Sequence, residues 1–236
     1  MKYNDFPAVL PILANNQSSN IVLVGNNADA HGMQNFLEEK SLVKKNVVFG
    51  FQLSGGRKEE NGRIICVRGV GKMVLGSLNG NIPFKPLLEN AFEHTKYQLA
   101  YHDDIDAWLK SHIILIVPLN AASFIQNGNL KEVAKNNELL KQIISAMDEG
   151  FTVLEQLGYS VTPASLVNFI RKHRLGRYIV FKIYHNSPFV KLVDGSFGEI
   201  VALYDSFDKL KQKSTLLTAN WDKLKKQSTS KFIGEK

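Results

Sequence analysis

A change of hydrophobic period near Tyr101 predicts an α/β unit followed by an all-helical one. Up to that point apolar residues switch between helix-like and strand-like spacing; from Asp103 onward they keep a helical period. Residues 1–101 and 102–236 are therefore the expected domains, and neither holds an internal repeat or low-complexity tract.

Phe6, Val9, Leu10, Ile12 and Leu13 share a helical face, and Ile21 to Val24 is then a short buried strand ending at Gly25, Asn26 and Asn27. A helix around Gly32 to Glu39 and a strand from Val47 to Leu53 continue the alternation. Gly62 to Val67 and Lys72 to Gly76 are two β-type runs joined by Arg68-Gly69-Val70-Gly71, which predicts an antiparallel hairpin appended to a mostly parallel sheet. Ile82 to His94 is helical, with Pro83 near its start where proline is tolerated, and Tyr97 to Tyr101 is the last strand. The helical half spans Asp103 to Phe124, Asn137 to Leu157, Ala164 to Arg174, Leu175 to His185, Phe197 to Lys211 and Thr218 to Lys226. Gly128, Gly158-Tyr159, Pro163, Ser187-Pro188 and Gly195 break it.

The formal charge is +7, from 29 Lys+Arg and 22 Asp+Glu, and 44% of residues are hydrophobic, an ordinary globular balance with a basic tilt. Much of that excess is lysine near the C-terminus at solvated helix positions, without the arginines and interleaved aromatics of a nucleic-acid face. The lone Cys66 forms no intrachain disulfide, and no Cys/His cluster has metal-site spacing, so a reducing cytoplasm and no metal are expected. The run Ile113 to Leu119 is short of a membrane span and the N-terminus opens no signal pattern, so no membrane partner is expected either.

The segment from Asp103 to Leu119 carries the chemistry. Asp103 and Asp104 suit the first turn of a helix, Trp108 follows, and Lys110 lies about two turns in, where the apolar run begins. A lysine there either pairs with Asp106, four residues before it, or serves as a proton donor where water is scarce.

The phrase Ile105-Asp106-Ala107-Trp108-Leu109-Lys110, followed by an apolar helix, resembles the start of the C-terminal domain in the ketopantoate reductase family, NADPH-dependent reductases of 2-oxo acids. That resemblance implies a partial Rossmann-type doubly wound sheet, a 6-phosphogluconate-dehydrogenase-like helical domain, and Lys110 as the general acid. NADP is the implied cofactor, a small 2-oxo acid the substrate, pantothenate biosynthesis the family's pathway, and a homodimer the implied assembly.

The match is to a divergent subgroup, in which Met1-Lys2-Tyr3 lies just after the fourth Rossmann strand. No glycine-rich strand-to-helix turn precedes it, and Gly69-Val70-Gly71 sits between strands rather than before a helix. The expectation is of a chain lacking the first three strands and the phosphate loop, on the order of 70 residues. In the family an Asn at the position of Asn26 contacts ribose and substrate, and Lys2 matches a cofactor-contacting lysine. Asn26 reads equally as a plain turn residue; Asn27, where the family has Gly, can also adopt a left-handed turn. Glu199, in a stretch resembling the subgroup's Glu-Met-x-x-Leu region, is either a substrate-facing group or a surface glutamate in a first helical turn.

Two features depart from the family. Ile114 stands where ketopantoate reductases have an Asn one turn after the lysine, and the later Ser…Asp…Arg-x-Thr-Glu phrase is missing. His112 and Asn120 point away from Lys110 on an ideal helix and are read as structural. The functional expectation is a 2-oxo acid reductase; the alternative is a non-catalytic relative kept for dimerisation or ligand binding.

Overall fold

The chain is described from a computed structural model that covers residues 1–59, 61–66, 71–187 and 195–233. It divides into two compact units, Met1–Leu109 and Lys110–Lys236.

In the first unit a 3-10 turn, Tyr3–Asp5, leads into α1, Phe6–Asn15, followed by β1 (Asn20–Val24), α2 (Ala30–Lys40) and β2 (Asn46–Gln52). Then come β3 (Gly56–Lys58), β4 (Ile64–Cys66), β5 (Lys72–Gly76), α3 (Lys85–Phe92) and β6 (Gln98–Tyr101). Four strands form one sheet in the order β1-β2-β5-β6; β1 runs parallel to β2, β2 antiparallel to β5, and β5 parallel to β6. Period-two alternation sends neighbouring side chains to opposite faces. Ile21, Leu23, Val47 and Phe49 join Phe6, Leu10, Met33 and Leu37 on one side. Val22, Val48, Leu75 and Leu99 gather with Phe84 and Leu88 on the other. Lys45, nearly buried, ties the turn before β1 by donating to the carbonyls of Asn16 (2.5 Å) and Ser18 (2.9 Å).

One expected pairing differs. The run from Gly62 does contribute β4, but β4 pairs antiparallel with β3, not with β5, and the two make a separate small sheet. The hairpin is closed locally by Glu59 N–H, which donates to the Arg63 carbonyl at 2.8 Å. β5 is left to bridge β2 and β6. Of the expected turn Arg68-Gly69-Val70-Gly71, all but Gly71 lies outside the described residues.

α4, Ile105–Ile125, contains the unit boundary. It begins two residues later than the acidic pair suggested, because Asp104 acts as its cap: the carboxylate accepts from Ala107 N–H at 3.0 Å. Among the described residues it is the one helix long and apolar enough to cross a bilayer, yet most of it is buried within the protein.

The second unit continues with α5 (Leu130–Lys135), α6 (Asn137–Gln156), α7 (Ala164–Lys172), α8 (Arg174–Asn186), α9 (Phe197–Lys211) and α10 (Ala219–Ile233). α5 was not expected, being too short to show a period. Its signal is the cap Asn129, and Asn136 likewise caps α6 through Leu139 N–H at 3.0 Å. α6 is the spine: Leu140, Ile143, Ile144, Met147, Phe151 and Leu154 are all buried at helical spacing. Its Glu149 caps α10, accepting from the backbone N–H of Asn220 and Trp221 at about 3.0 Å and from the Asn220 amide at 2.6 Å. That cap seats Trp221 against Tyr204 and Phe207, ring centres 5.2 and 4.5 Å away. Part of the C-terminal lysine excess is accounted for by pairing: Lys225 meets Asp205 and Asp208, and Lys211 meets Asp208 and Asp222.

Candidate functional site

The α4 segment of the second unit and the chain leaving α6 form the most developed polar setting around a sequence-predicted residue. Lys110 is 5% exposed, and its Nζ lies 4.8 Å from the centre of the Tyr159 ring. A cation that close to an aromatic face is held by the ring quadrupole. Tyr159 is delivered there by a defined helix stop. Gly158 takes φ +85°, and paired hydrogen bonds from Gly158 N–H to the Glu155 carbonyl (3.0 Å) and from Tyr159 N–H to the Leu154 carbonyl (2.9 Å) end α6 as a Schellman motif. Only glycine takes that conformation readily. Three residues on, Thr162 N–H donates to Ser111 Oγ at 3.1 Å, so one short segment grips two successive residues of α4.

The rest of this turn of α4 is packing. Ile114 is fully buried, and a Cβ placed on Gly150 of α6 would come within 2.7 Å of its Cδ1. The side chain at this position thus serves close helix–helix contact and adds no polar group. His112 has its imidazole pushed down to about 4 by burial and is neutral at physiological pH. Asn120 donates to the Ile116 carbonyl at 2.8 Å, and its Oδ1 accepts from Gly195 N–H at 2.6 Å. It therefore fixes the chain entering α9, which agrees with its structural reading. Glu199, in the first turn of α9, is 6% exposed; the surface-glutamate alternative does not describe it.

The first unit holds the other expected residues. Asn26 directly follows β1 and is half-buried, beside Gly25, whose N–H donates to the Gly50 carbonyl at 3.0 Å. Asn27 does not use the left-handed backbone open to it; among the described non-glycine residues positive φ occurs at Asn127. Its side chain works instead: Oδ1 accepts from Asp29 N–H at 2.8 Å, and Asp29 in turn caps α2 at Gly32 N–H, 3.1 Å. Lys2 is exposed, its carbonyl accepting from Asp5 N–H at 3.1 Å. Asp106 is buried and stands 3.5 Å from His31. Among the described residues no group of three His, Cys, Asp or Glu side chains could hold a metal.

Sequence reasoning missed Tyr159, Glu149 and the role of Asn27. The Gly158-Tyr159 pair after an amphipathic helix was a usable signal, since Gly followed by an apolar residue marks this type of helix end.

No family model and no curated protein matches the chain. Solved structures do. D-mandelate dehydrogenase in a ternary complex with NADH and anilino(oxo)acetate matches with a TM-score of 0.75 at 14% identity, over 99% of this chain and 75% of that one. A ketopantoate reductase from Ralstonia eutropha matches at 0.72 and 14%, over 98% and 73%. A dimeric ketopantoate reductase from Staphylococcus aureus matches at 0.70 and 13%, over 100% and 76%. The chain therefore has the fold shared by these enzymes, a Rossmann-type sheet followed by a helical domain, and spans about three quarters of their length.

Proposed function

We propose that this chain belongs to a nicotinamide-dependent reductase that converts a 2-oxo acid to the 2-hydroxy acid, with Lys110 as the general acid. The observation that carries the reading is the buried Lys110 ammonium under the Tyr159 ring, at the start of the helical unit of a fold found in dehydrogenases of this class. A buried charge is costly unless the structure compensates it, and such groups cluster where charge is used.

The residues present fit the nicotinamide side of a dinucleotide: the backbone at the C-terminal end of β1, with Gly25 pressed close to neighbouring chain and Asn26 after it, is where open α/β sheets receive ligands. No strand-to-helix Gly-x-Gly-x-x-Gly turn for the pyrophosphate occurs in the sequence. NADP is the cofactor we assign, Asn26 and Lys2 its contacts, and Asn26 with Glu199 the groups toward the substrate.

When bound, the cofactor supplies the hydride. Lys110 Nζ donates a hydrogen bond to the 2-oxo oxygen, stabilises the negative charge that grows there, and passes its proton to that oxygen to give the hydroxyl. Burial makes this donor effective by keeping competing water away from it. Ile114, buried against Gly150, adds no polar contact in the next turn of the helix, which favours substrates without a hydroxyl to bind at that point.

The test is reduction of an alkyl and an aryl 2-oxo acid with NADPH and with NADH, by wild type and Lys110→Ala. Removing the acid lowers turnover by about 10²-fold or more. Equal turnover in the two proteins rejects Lys110 as the acid, and absence of binding of either dinucleotide in calorimetry points to the non-catalytic alternative. A homodimer, as in the S. aureus enzyme, belongs to the same reading and is checked by sedimentation.

A further inference from the structure

No sequence motif singles out His31, yet the α/β unit brings it to a buried carboxylate at the ligand end of its sheet. β1 and β2 run parallel, so their C-terminal ends lie side by side, where open α/β sheets receive ligands. From the end of β1 the chain turns through Asn27 and Asp29 into α2, and His31 is the second residue of that helix. The first turns of α4 lie over the same end: the Trp108 ring centre is 6.1 Å from that of Phe51, near the end of β2. Asp106, in the first turn of α4, is buried, and its Oδ2 stands 3.5 Å from Nε2 of His31, whose side chain is 63% exposed.

We infer that His31 is a substrate-binding residue that receives the carboxylate of the 2-oxo acid, with Asp106 as the buried group that orients its ring. The inference rests on the 2-oxo acid reading for the identity of the ligand. A carboxylate that leaves water needs a charge-assisted donor in exchange for its hydration. An imidazolium carries two N–H groups that point in different directions from one rigid ring. With Nε2–H directed at Asp106, Nδ1–H is the donor for a ligand oxygen, and a fixed acceptor behind the ring sets its aim. Asp106 has other interactions as well, and a carboxylate, with about four lone-pair sites, accommodates them together with His31.

The competing role is a surface ion pair that ties α2 to α4. Exposed pairs of that kind contribute little to stability and are indifferent to the charge of a ligand. The ligand's charge is therefore the variable that separates the two roles, since a neutral ester or amide keeps the 2-carbonyl and loses the acid.

The first readout needs no turnover. Oxamate is titrated into the folded chain with and without NADH, and the His31 Cε1–H resonance, assigned by its loss in His31→Gln, is followed by NMR. It shifts with oxamate and stays in place with the neutral ethyl ester of oxamate. No shift with oxamate, or equal shifts with both probes, overturns the inference. The second readout is kinetic. His31→Gln raises KM for a 2-oxo acid by about 10-fold or more, the scale of one charge-assisted hydrogen bond, with KM for the dinucleotide and Tm unchanged. KM for the matching 2-oxo amide does not follow, and His31→Lys, which restores a cation, recovers most of the loss for the acid. An unchanged KM for the acid in His31→Gln, or an equal rise for acid and amide, also overturns the inference. Wild-type turnover in Lys110→Ala rejects the general-acid reading instead, and the oxamate shift alone then decides whether His31 meets the carboxylate.

Discussion

Lys110 in the helical unit and Asn26 in the α/β unit are held by different means. Around Lys110, α4 is held by groups from distant parts of the chain: the Tyr159 ring at the lysine itself, the Thr162 backbone N–H bonded to the neighbouring Ser111, and Gly150 against Ile114 one turn on. Asn26 rides on a strand end whose order comes from residues immediately after it, Asn27 and Asp29, acting on the next helix. Burial among packed helices fixes the aim of a long side chain, whereas a strand end is ordered by local turn chemistry alone. The helical unit should accordingly lose more when one polar group is altered.

The largest effect follows from His112. Its imidazole is pushed down to about 4 by burial, while in the unfolded chain it titrates near 6.5. Between those values the unfolded chain binds the proton and the folded one does not. The contribution is thus complete above pH 6.5 and is lost as pH falls toward 4, at about 1.4 kcal/mol per pH unit and roughly 3 kcal/mol in all. Urea titrations at pH 7 and pH 4.5 should show this loss in wild type and a smaller one in His112→Leu. Hydrogen exchange at the same two pH values sharpens the contrast: α6 amides should lose more protection than those of β2. Equal losses in both would erase it.

An intermediate effect is expected at Glu149. Its carboxylate caps α10 by accepting from three donors, the Asn220 N–H shared between both oxygens, the Asn220 amide and the Trp221 N–H. Charge-assisted bonds of this kind are each worth more than neutral ones, and Glu149→Ala should cost about 2 kcal/mol. Glu149→Gln, which keeps one acceptor oxygen, should lose about half of that. Trp221 fluorescence reports the unfolding directly, and a wild-type midpoint for Glu149→Ala would show that α10 holds without its cap.

Legibility in the sequence follows the same divide. The fold class, the strand–helix alternation and α9 from Phe197 to Lys211 could all be read because period and local caps determine them. Lys110 could be picked out because Trp108 and the apolar run lie beside it in sequence. Tyr159 and Glu149 could not be assigned their partners, since nothing local says that the end of α6 meets the start of α4, or that the middle of α6 meets the start of α10. The β3–β4 pairing was missed for a related reason: Gly56 to Lys58 has no apolar alternation, so Ile64 to Cys66 looked free to pair with the stronger strand β5.

The smallest effect is expected at Asn27, where the α/β side of the comparison can be probed directly. Asn27 is 2% exposed, and its Oδ1 bond to Asp29 N–H places Asp29 so that its own carboxylate reaches Gly32 N–H. Asn27→Ala removes that bond and the weak one from Nδ2–H to Met33 Sδ at 3.3 Å, and leaves the Asp29 cap in place, a loss of about 1 kcal/mol. Asn27→Gly should cost slightly more, because glycine also gains backbone freedom in the unfolded chain and the folded backbone has no positive φ to reward it. Thermal melts of the two variants check the order. A loss at Asn27 as large as that at Glu149 would show the strand end to be as interlocked as the lysine helix, and the contrast between the units would fail at its most exposed point.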